Sequence, residues 1–358
     1  MTFTRRSLPL MLAMSMIPLP AVAHAQAQDG TAPAIEGDLS FSGPPEMAPL
    51  LKRWQEAFNR DHPRIRFVDQ LVGRDTAIYG IEMRSTDIAL LDRPINPFER
   101  YGTYEHSWIF PVEIEVATDG GTASVDPATE AVFVRKDSPI DRLTVAQLDG
   151  IFGAERDGGF DKLDWNEAAA RDASANITTW GQLGVKGKLA KAAIHPYGPA
   201  SHGNGVITYF QLKVLNGGAM RAEATREYAD PTALFADLAR DPQGIAYGPF
   251  AAMPPGFKAV ALADAPGKPY VLPSRATLAD RSYPLARPVY VYFTIDTPTG
   301  QLANPRVNPK IMAFMKYVLS PAGQAEVARD GRYLPLTPEQ AARQLAELTS
   351  TKHPPERP

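Results

Sequence analysis

The sequence predicts an α/β protein built on a parallel sheet with helices packed against it. Three observations carry that prediction. Short apolar strands alternate with loop-helix segments over residues 38–92, the order that gives parallel pairing. The loops leaving those strands hold Gly, Pro and small polar residues, which suits strand-to-helix turns. The same alternation returns between residues 192 and 248. In such sheets the loops beyond the strand C-termini carry function.

The chain has 358 residues, 44% hydrophobic and 22% charged, a globular composition long enough for two domains. Its formal net charge of −3 gives no global basic field, so nucleic acid is not an expected partner. The absence of cysteine excludes disulfides, a thiol nucleophile and cysteine metal sites. No H-E-x-x-H is present, and the six histidines lack metal-ligand spacing. No Walker loop or dinucleotide fingerprint occurs, so neither a metal nor a cofactor is expected.

Residues 1–25 read as a signal peptide. Arg5 and Arg6 precede an apolar run from Leu8 to Val22, and Ala23-His24-Ala25 is an A-x-A cleavage site. The Thr4-Arg5-Arg6-Ser7-Leu8 run fits either the general secretory or the twin-arginine route. Pro18, Pro20 and the short apolar length argue against a permanent span. A mature chain starting near Gln26, in the periplasm or secreted and without stable membrane insertion, is the expectation.

Asp38–Ser42 is the first strand, and Ser42-Gly43-Pro44-Pro45 turns into a helix whose apolar face is Met47, Leu50, Leu51, Trp54 and Phe58. Arg64–Val72 is the second strand, Gly73-Arg74-Asp75-Thr76 a strand-to-helix loop, and Asp87–Leu91 the third strand, before Asp92-Arg93-Pro94. Phe110–Ala117 and Ala131–Arg135 are β-rich. Thr144 and Gln147 form a capping box at a helix start. Phe152–Asn176 is polar and poorly periodic, a surface excursion, and Ala192–His195 is a strand.

His195–Phe210, HPYGPASHGNGVITYF, is the centre of the reading. It begins as a Gly-rich loop and becomes an amphipathic helix bearing Val206, Ile207, Phe210, Val214 and Leu215. Free N–H groups where such a loop meets a helix favour an anion. Asp230-Pro231 opens a further helix, Gln243–Gly248 is a buried strand, and Tyr283–Phe293 leads into another. Asn308-Pro309, Ser320-Pro321 and Thr337-Pro338 start the last helices, Gly331 ends one of them, and residues 351–358 form a frayed tail.

The series SGPPEM, GRDTAIYG, DIALLDRPI, FPVEIEVA, LTVAQLDGIFG, SHGNGVITYF, QGIAYG, YPLARPVYVYF and FMKYVLSPAGQAEVARDGRYLPL runs in order along the chain. It resembles the PstS-like phosphate-binding proteins, the periplasmic receptors of phosphate ABC importers. The resemblance implies the two-lobed type II periplasmic binding protein fold. Each lobe would be a mixed, mostly parallel sheet flanked by helices, with the ligand cleft between lobes. It implies lobe 1 from residues 31–115 joined to 285–350, and lobe 2 from 116–284. The implied partners are inorganic phosphate or a similar oxyanion and an ABC importer permease.

The resemblance also assigns ligand positions. Ser42 and Gly43 would offer a hydroxyl and backbone N–H groups. Arg74 and Thr76 stand in the place of a Ser-rich loop. Asp92 falls on the carboxylate that accepts the phosphate proton, with Arg93 beside it. Ser201, His202, Gly203 and Asn204 form the loop-helix start, with His202 and Asn204 where the family has serine and threonine. The arginine usually preceding that loop is replaced by the neighbourhood of Pro196 and Tyr197, and Arg74 or Arg93 could supply the charge. Three alternatives stand beside this reading. A surface pair of Asp92 with Arg93 would take Asp92 out of any site. A secreted sensor or interaction protein could keep the fold and no longer bind phosphate. A hydrolase could use Ser201, His202 and Asp92, although Gly198-x-x-Ser201-x-Gly203 is one residue wider than a nucleophile elbow. No enzyme is therefore expected.

Overall fold

The computed structural model describes residues 35–107, 110–120, 129–161, 164–200, 209–295 and 307–350. The leader, Ser201, His202, Gly203, Asn204 and the tail 351–358 lie outside the described residues. The strands are β1 (Gly37–Ser42), β2 (Ile65–Gln70), β3 (Ile88–Leu91), β4 (Val112–Asp119), β5 (Glu130–Arg135), β6 (Arg142–Thr144), β7 (Gly159–Asp161), β8 (Asp164–Asn166), β9 (His195–Pro199), β10 (Arg226–Tyr228), β11 (Gly244–Pro249), β12 (Phe257–Ala259), β13 (Ala261–Ala263), β14 (Pro288–Phe293) and β15 (Tyr333–Leu334). The helices are α1 (Ala48–Phe58), α2 (Arg74–Glu82), α3 (Pro97–Ser107), α4 (Val145–Phe152), α5 (Tyr209–Val214), α6 (Pro231–Leu238), α7 (Arg275–Ala279), α8 (Pro309–Val318), α9 (Pro321–Asp330) and α10 (Pro338–Thr349).

One six-stranded sheet runs β15-β4-β14-β3-β1-β2, and a five-stranded sheet runs β10-β9-β11-β5-β12. Strand β1 pairs in parallel with β2 and β3, as the alternation over residues 38–92 requires. Strand β9 likewise pairs in parallel with β10 and β11. Parallel pairs are not the majority, however: β14 is antiparallel to β3 and β4, β15 to β4, and β5 to β11 and β12. The cause is the chain path. It leaves the first sheet after β4 and re-enters it at β14, so outgoing and returning strands lie side by side in opposite directions.

Both faces of the first sheet are covered. On one, Leu50, Trp54 and Phe58 of α1 pack with Phe41 and Phe314, whose rings meet edge-on at 5.3 Å. The Trp54 indole N–H donates to the Gly323 carbonyl at 2.9 Å, so α1 and α9 are locked together. On the other face, Ala77, Ile78 and Ile81 of α2 cover Ala89, Leu91 and Tyr292. Burial on two faces explains why β3 is a continuous apolar run, IALL. The second sheet has its own core, in which Phe210 stacks on Tyr247 at 4.0 Å and Phe152 meets both edge-on.

Three local expectations change. Arg74, Asp75 and Thr76 are the first turn of α2, not a loop. The strand expected at Ala192–His195 begins at His195 and runs through Pro199. Pairing on both sides outweighs the Pro/Gly turn chemistry there. Gly198 serves close packing: a Cβ would lie 2.3 Å from the Tyr247 ring. The polar segment after Phe152 is tied inward rather than lying loose. Arg156 grips Asp149 with two bonds of 2.8 and 2.6 Å, and buried Arg171 donates to the carbonyls of Gly150, Gly153 and Ala154. These carbonyls lie at and just past the C-terminal end of α4, where helical partners run out and cations are favoured.

Candidate functional site

The site grows from the C-terminal ends of β1 and β3. Ser42 ends β1, and its hydroxyl donates to the Ala77 carbonyl of α2 at 2.7 Å while lying 3.0 Å from Thr86 Oγ1. Gly43 follows, and its carbonyl accepts from the Gly73 N–H at 3.0 Å. These bonds set the start of α2 beside the end of β1. Arg74, first residue of α2, then reaches the Asp92 carboxylate just past β3. Its Nε donates to Oδ1 at 2.8 Å and its Nη2 to Oδ2 at 2.8 Å. The Thr76 hydroxyl turns back to the Gly73 carbonyl at 3.0 Å.

Asp92 is buried, 4% exposed, and its partners are Arg74 and Arg287 rather than Arg93. The surface-pair alternative is thereby overturned. Arg93 Nη1 and Nη2 donate to the two oxygens of Glu99 at 2.8 and 2.7 Å. Glu99 also accepts from the Asn96 N–H, and the Asn96 side chain accepts from the Glu99 N–H. This reciprocal cap organises the start of α3, and Arg93 is part of it.

Sequence reasoning passed over Arg287, Asp119 and Glu130. Arg287 immediately precedes β14, and Asp119 ends β4. The Arg287 Nη2 donates to Asp119 Oδ2 at 2.8 Å and to Asp92 Oδ2 at 3.3 Å. The backbone adds a bond from the Asp119 N–H to the Arg287 carbonyl at 2.9 Å. A line of alternating charge results, Arg74–Asp92–Arg287–Asp119, running from α2 to the two crossings between sheets. Its signals were visible as Arg287 within YPLARP and Asp119 in front of Gly120-Gly121, but neither had a motif of its own.

Electrostatics follow from burial and these contacts. Burial pushes the Asp92 carboxyl up, but Arg287 and Arg74 outweigh it and hold it down to about 2. Burial raises Asp119, and Arg287 offsets this only in part. Arg287 loses hydration on burial, yet Asp92, Asp119 and Glu130 together keep it firmly cationic. Glu130, first residue of β5, is pushed up to about 7 by burial, with Arg287 acting against the shift. Two arginines thus face three carboxyl groups, one of which is poised to hold a proton near neutral pH. Among the described residues, no group of His, Asp and Glu could hold a metal ion.

Comparison with known proteins gives the family and the fold. A family model described as the PBP superfamily domain matches residues 21–322. The phosphate-binding protein PstS of Pseudomonas aeruginosa is 28% identical over 329 residues, covering 92% of this chain and 91% of that protein. Protein SphX of Synechococcus elongatus is 26% identical, covering 90% and 85%. Among solved structures, PstS from Borrelia burgdorferi aligns with a TM-score of 0.54 at 15% identity, covering 84% of this chain and all of that one. A phosphate transport receptor from Vibrio cholerae aligns at 0.51 with 18% identity, again over 84% of this chain. These structural likenesses carry the fold: two α/β lobes with a cleft between them. With a family model spanning most of its length and this two-lobed fold, the chain belongs to the PBP superfamily.

Proposed function

We propose that this protein captures inorganic phosphate in the cleft between its lobes, outside the cytoplasm, for delivery to an ABC importer. The observation that carries the reading is the Arg74–Asp92–Arg287–Asp119 line beside the end of β1, half-exposed at Arg74 and buried from Asp92 onward. It offers fixed guanidinium donors and an ionised carboxylate acceptor in one water-poor place. Arginine suits a tetrahedral oxyanion because its planar donors bond two oxygens at once. An ionised carboxylate only accepts, so Asp92 meets the proton of monohydrogen phosphate favourably and repels sulfate. Ser42 and Gly43 would complete the lobe 1 wall, and Ser201, His202, Gly203 and Asn204 the lobe 2 wall. In this reading Thr76 and Arg93 shape the start of α2 and the start of α3. The relatives named above support the ligand and the importer; no turnover is part of the reading.

Lobe boundaries near residues 31–115 with 285–350, and 116–284, go with this proposal. So does an export signal cut before Gln26. Among the described residues, no helix is long and apolar enough to cross a membrane. Calorimetry of the mature protein with phosphate and with sulfate tests the function. A clear preference for phosphate is expected. Binding of neither anion overturns the receptor reading and favours the sensor, which the His202 and Asn204 replacements already suggest.

A further inference from the structure

Behind the charge line lies a cavity of about 200 Å³ on the second sheet. It is smaller than a drug-sized ligand site, typically about 300–1,000 Å³, and far larger than the roughly 30 Å³ that one water occupies in the liquid. Glu130 and Arg287 are the charged residues on an otherwise largely apolar wall that includes Pro199 at the end of β9, Leu234 and Phe235 of α6, and Tyr247 of β11. Arg287 reaches it from the crossing into β14, so the cavity joins both lobes.

The polar atoms there are incompletely bonded. Among the described residues, Arg287, 9% exposed, has a buried Nε with no partner, and Glu130 has an enclosed Oε2 with no partner. Thr129 Oγ1, on the residue before Glu130, is also buried without one among the described residues. A buried polar group without a bond is costly and needs an explanation. The charged partners of Arg287 are Asp92 and Asp119, both on its Nη2, which leaves Nε unbonded among the described residues.

We propose that Glu130 and Arg287 form a subsite for a small oxyanion on the lobe 2 side of the cleft, Arg287 giving charge and the Glu130 carboxyl donating a hydrogen bond. The inference rests on the receptor reading and deepens it by naming a selectivity-determining pair. An acid in this place can donate only while it holds its proton. The groups facing it fit that state. Among the described residues, Arg287 from the crossing into β14 is the cation that acts on it, Asp119 from β4 adds repulsion, and the phenols of Tyr209, Tyr247 and Tyr283 are held neutral by burial. Burial itself places the Glu130 transition at about 7. Occupation by an anion makes ionisation of Glu130 still less favourable, so binding takes up a proton. The subsite then weakens as pH rises through neutrality, independently of the titration of phosphate itself.

Calorimetry with inorganic phosphate on the full mature chain, in buffers of different ionisation enthalpy between pH 6 and 8, tests this. Wild type and Glu130→Gln are compared, so the phosphate contribution cancels. The ratio of wild-type to variant affinity should fall about tenfold from pH 6 to pH 8, as the protonated fraction falls. The wild type should also take up more protons per phosphate at pH 7. An infrared difference spectrum of the wild type on adding phosphate should show a protonated carboxyl band at pH 7.5, which needs no variant. Phosphate binding with a pH-independent ratio, equal proton uptake and no such band overturns the subsite and leaves the receptor reading standing. No phosphate binding by the wild type overturns both.

Discussion

Asp92 sits with both oxygens bonded to arginine, and that geometry decides what its loss would do. Replacing it by Asn leaves Arg74 and Arg287 facing a neutral amide in a buried place. Breaking one side of a buried ion pair costs about 3–5 kcal/mol, so Asp92→Asn should lower stability by that order in a denaturant titration at pH 7. The same change should narrow the preference for phosphate over sulfate, since an amide can donate to either anion. A site built around a ligand hydroxyl can discriminate by up to about 10⁴–10⁵, so the narrowing should be plain in paired titrations. Unchanged selectivity would remove Asp92 from the ligand site.

Glu130 makes a separate prediction through folding alone. Its folded pKa lies above its unfolded value, so the stability it contributes is present at low pH and lost as pH rises through about 7. Glu130→Gln removes that loss. The variant should gain on wild type by about 2 kcal/mol more at pH 8 than at pH 5, read from chemical denaturation at both values. An equal difference at the two pH values would mean that Glu130 titrates normally. At this scale the sequence was half legible. Asp92 and Arg74 stood in recognisable turns, whereas Arg287 and Asp119 become a pair only when two distant crossings meet, 168 residues apart in sequence.

Elements were legible where the chain carries its own punctuation. Thr144 with Gln147 is a capping box in the fold as in the sequence, Thr337 with Gln340 forms another at the expected start of α10, and Ser320 caps α9 through the Gly323 N–H. The stretch His195–Pro199 was not legible, because its two prolines and Gly198 advertise a turn while its neighbours β10 and β11 require a strand. Helix α2 shows how an element holds the site. Gly80 lies where a Cβ would be 2.3 Å from Thr86 Oγ1 and 2.8 Å from Ser42 Oγ. On an exposed helix Gly→Ala gains about 1 kcal/mol. Here the added methyl must push α2 off β1 or displace the Ser42 hydroxyl, and overpacking of that kind costs about 1–3 kcal/mol. Gly80→Ala should therefore destabilise the protein and weaken phosphate binding together. A stabilised variant with unaltered binding would show that α2 is not tightly seated on β1.

At the scale of the whole molecule, local pattern gave the α/β class but not the two-lobed plan, which came from the order of motifs. The physical reason is that β4 and β14 are single apolar strands locally, and only their side-by-side pairing makes them a double crossing between sheets. Arg287 and Asp119 tie those crossings by side chain and by backbone, and in the proposed lobe division they stand where lobe motion would be absorbed. Hinge closure around a ligand is the ordinary motion of two-lobed binding proteins. In the proposed reading the contacts come from both lobes, so phosphate would bond fully only to a closed form, and binding and closure would be one equilibrium. Phosphate at about 100 times its Kd should stabilise the folded protein by about 2.7 kcal/mol and contract it measurably in small-angle scattering. Sulfate at the same concentration should do less of both. In Glu130→Gln at pH 8 the contraction should persist, since the neutral amide can still donate. Stabilisation without contraction would place the anion on one lobe alone and separate ligand capture from lobe closure.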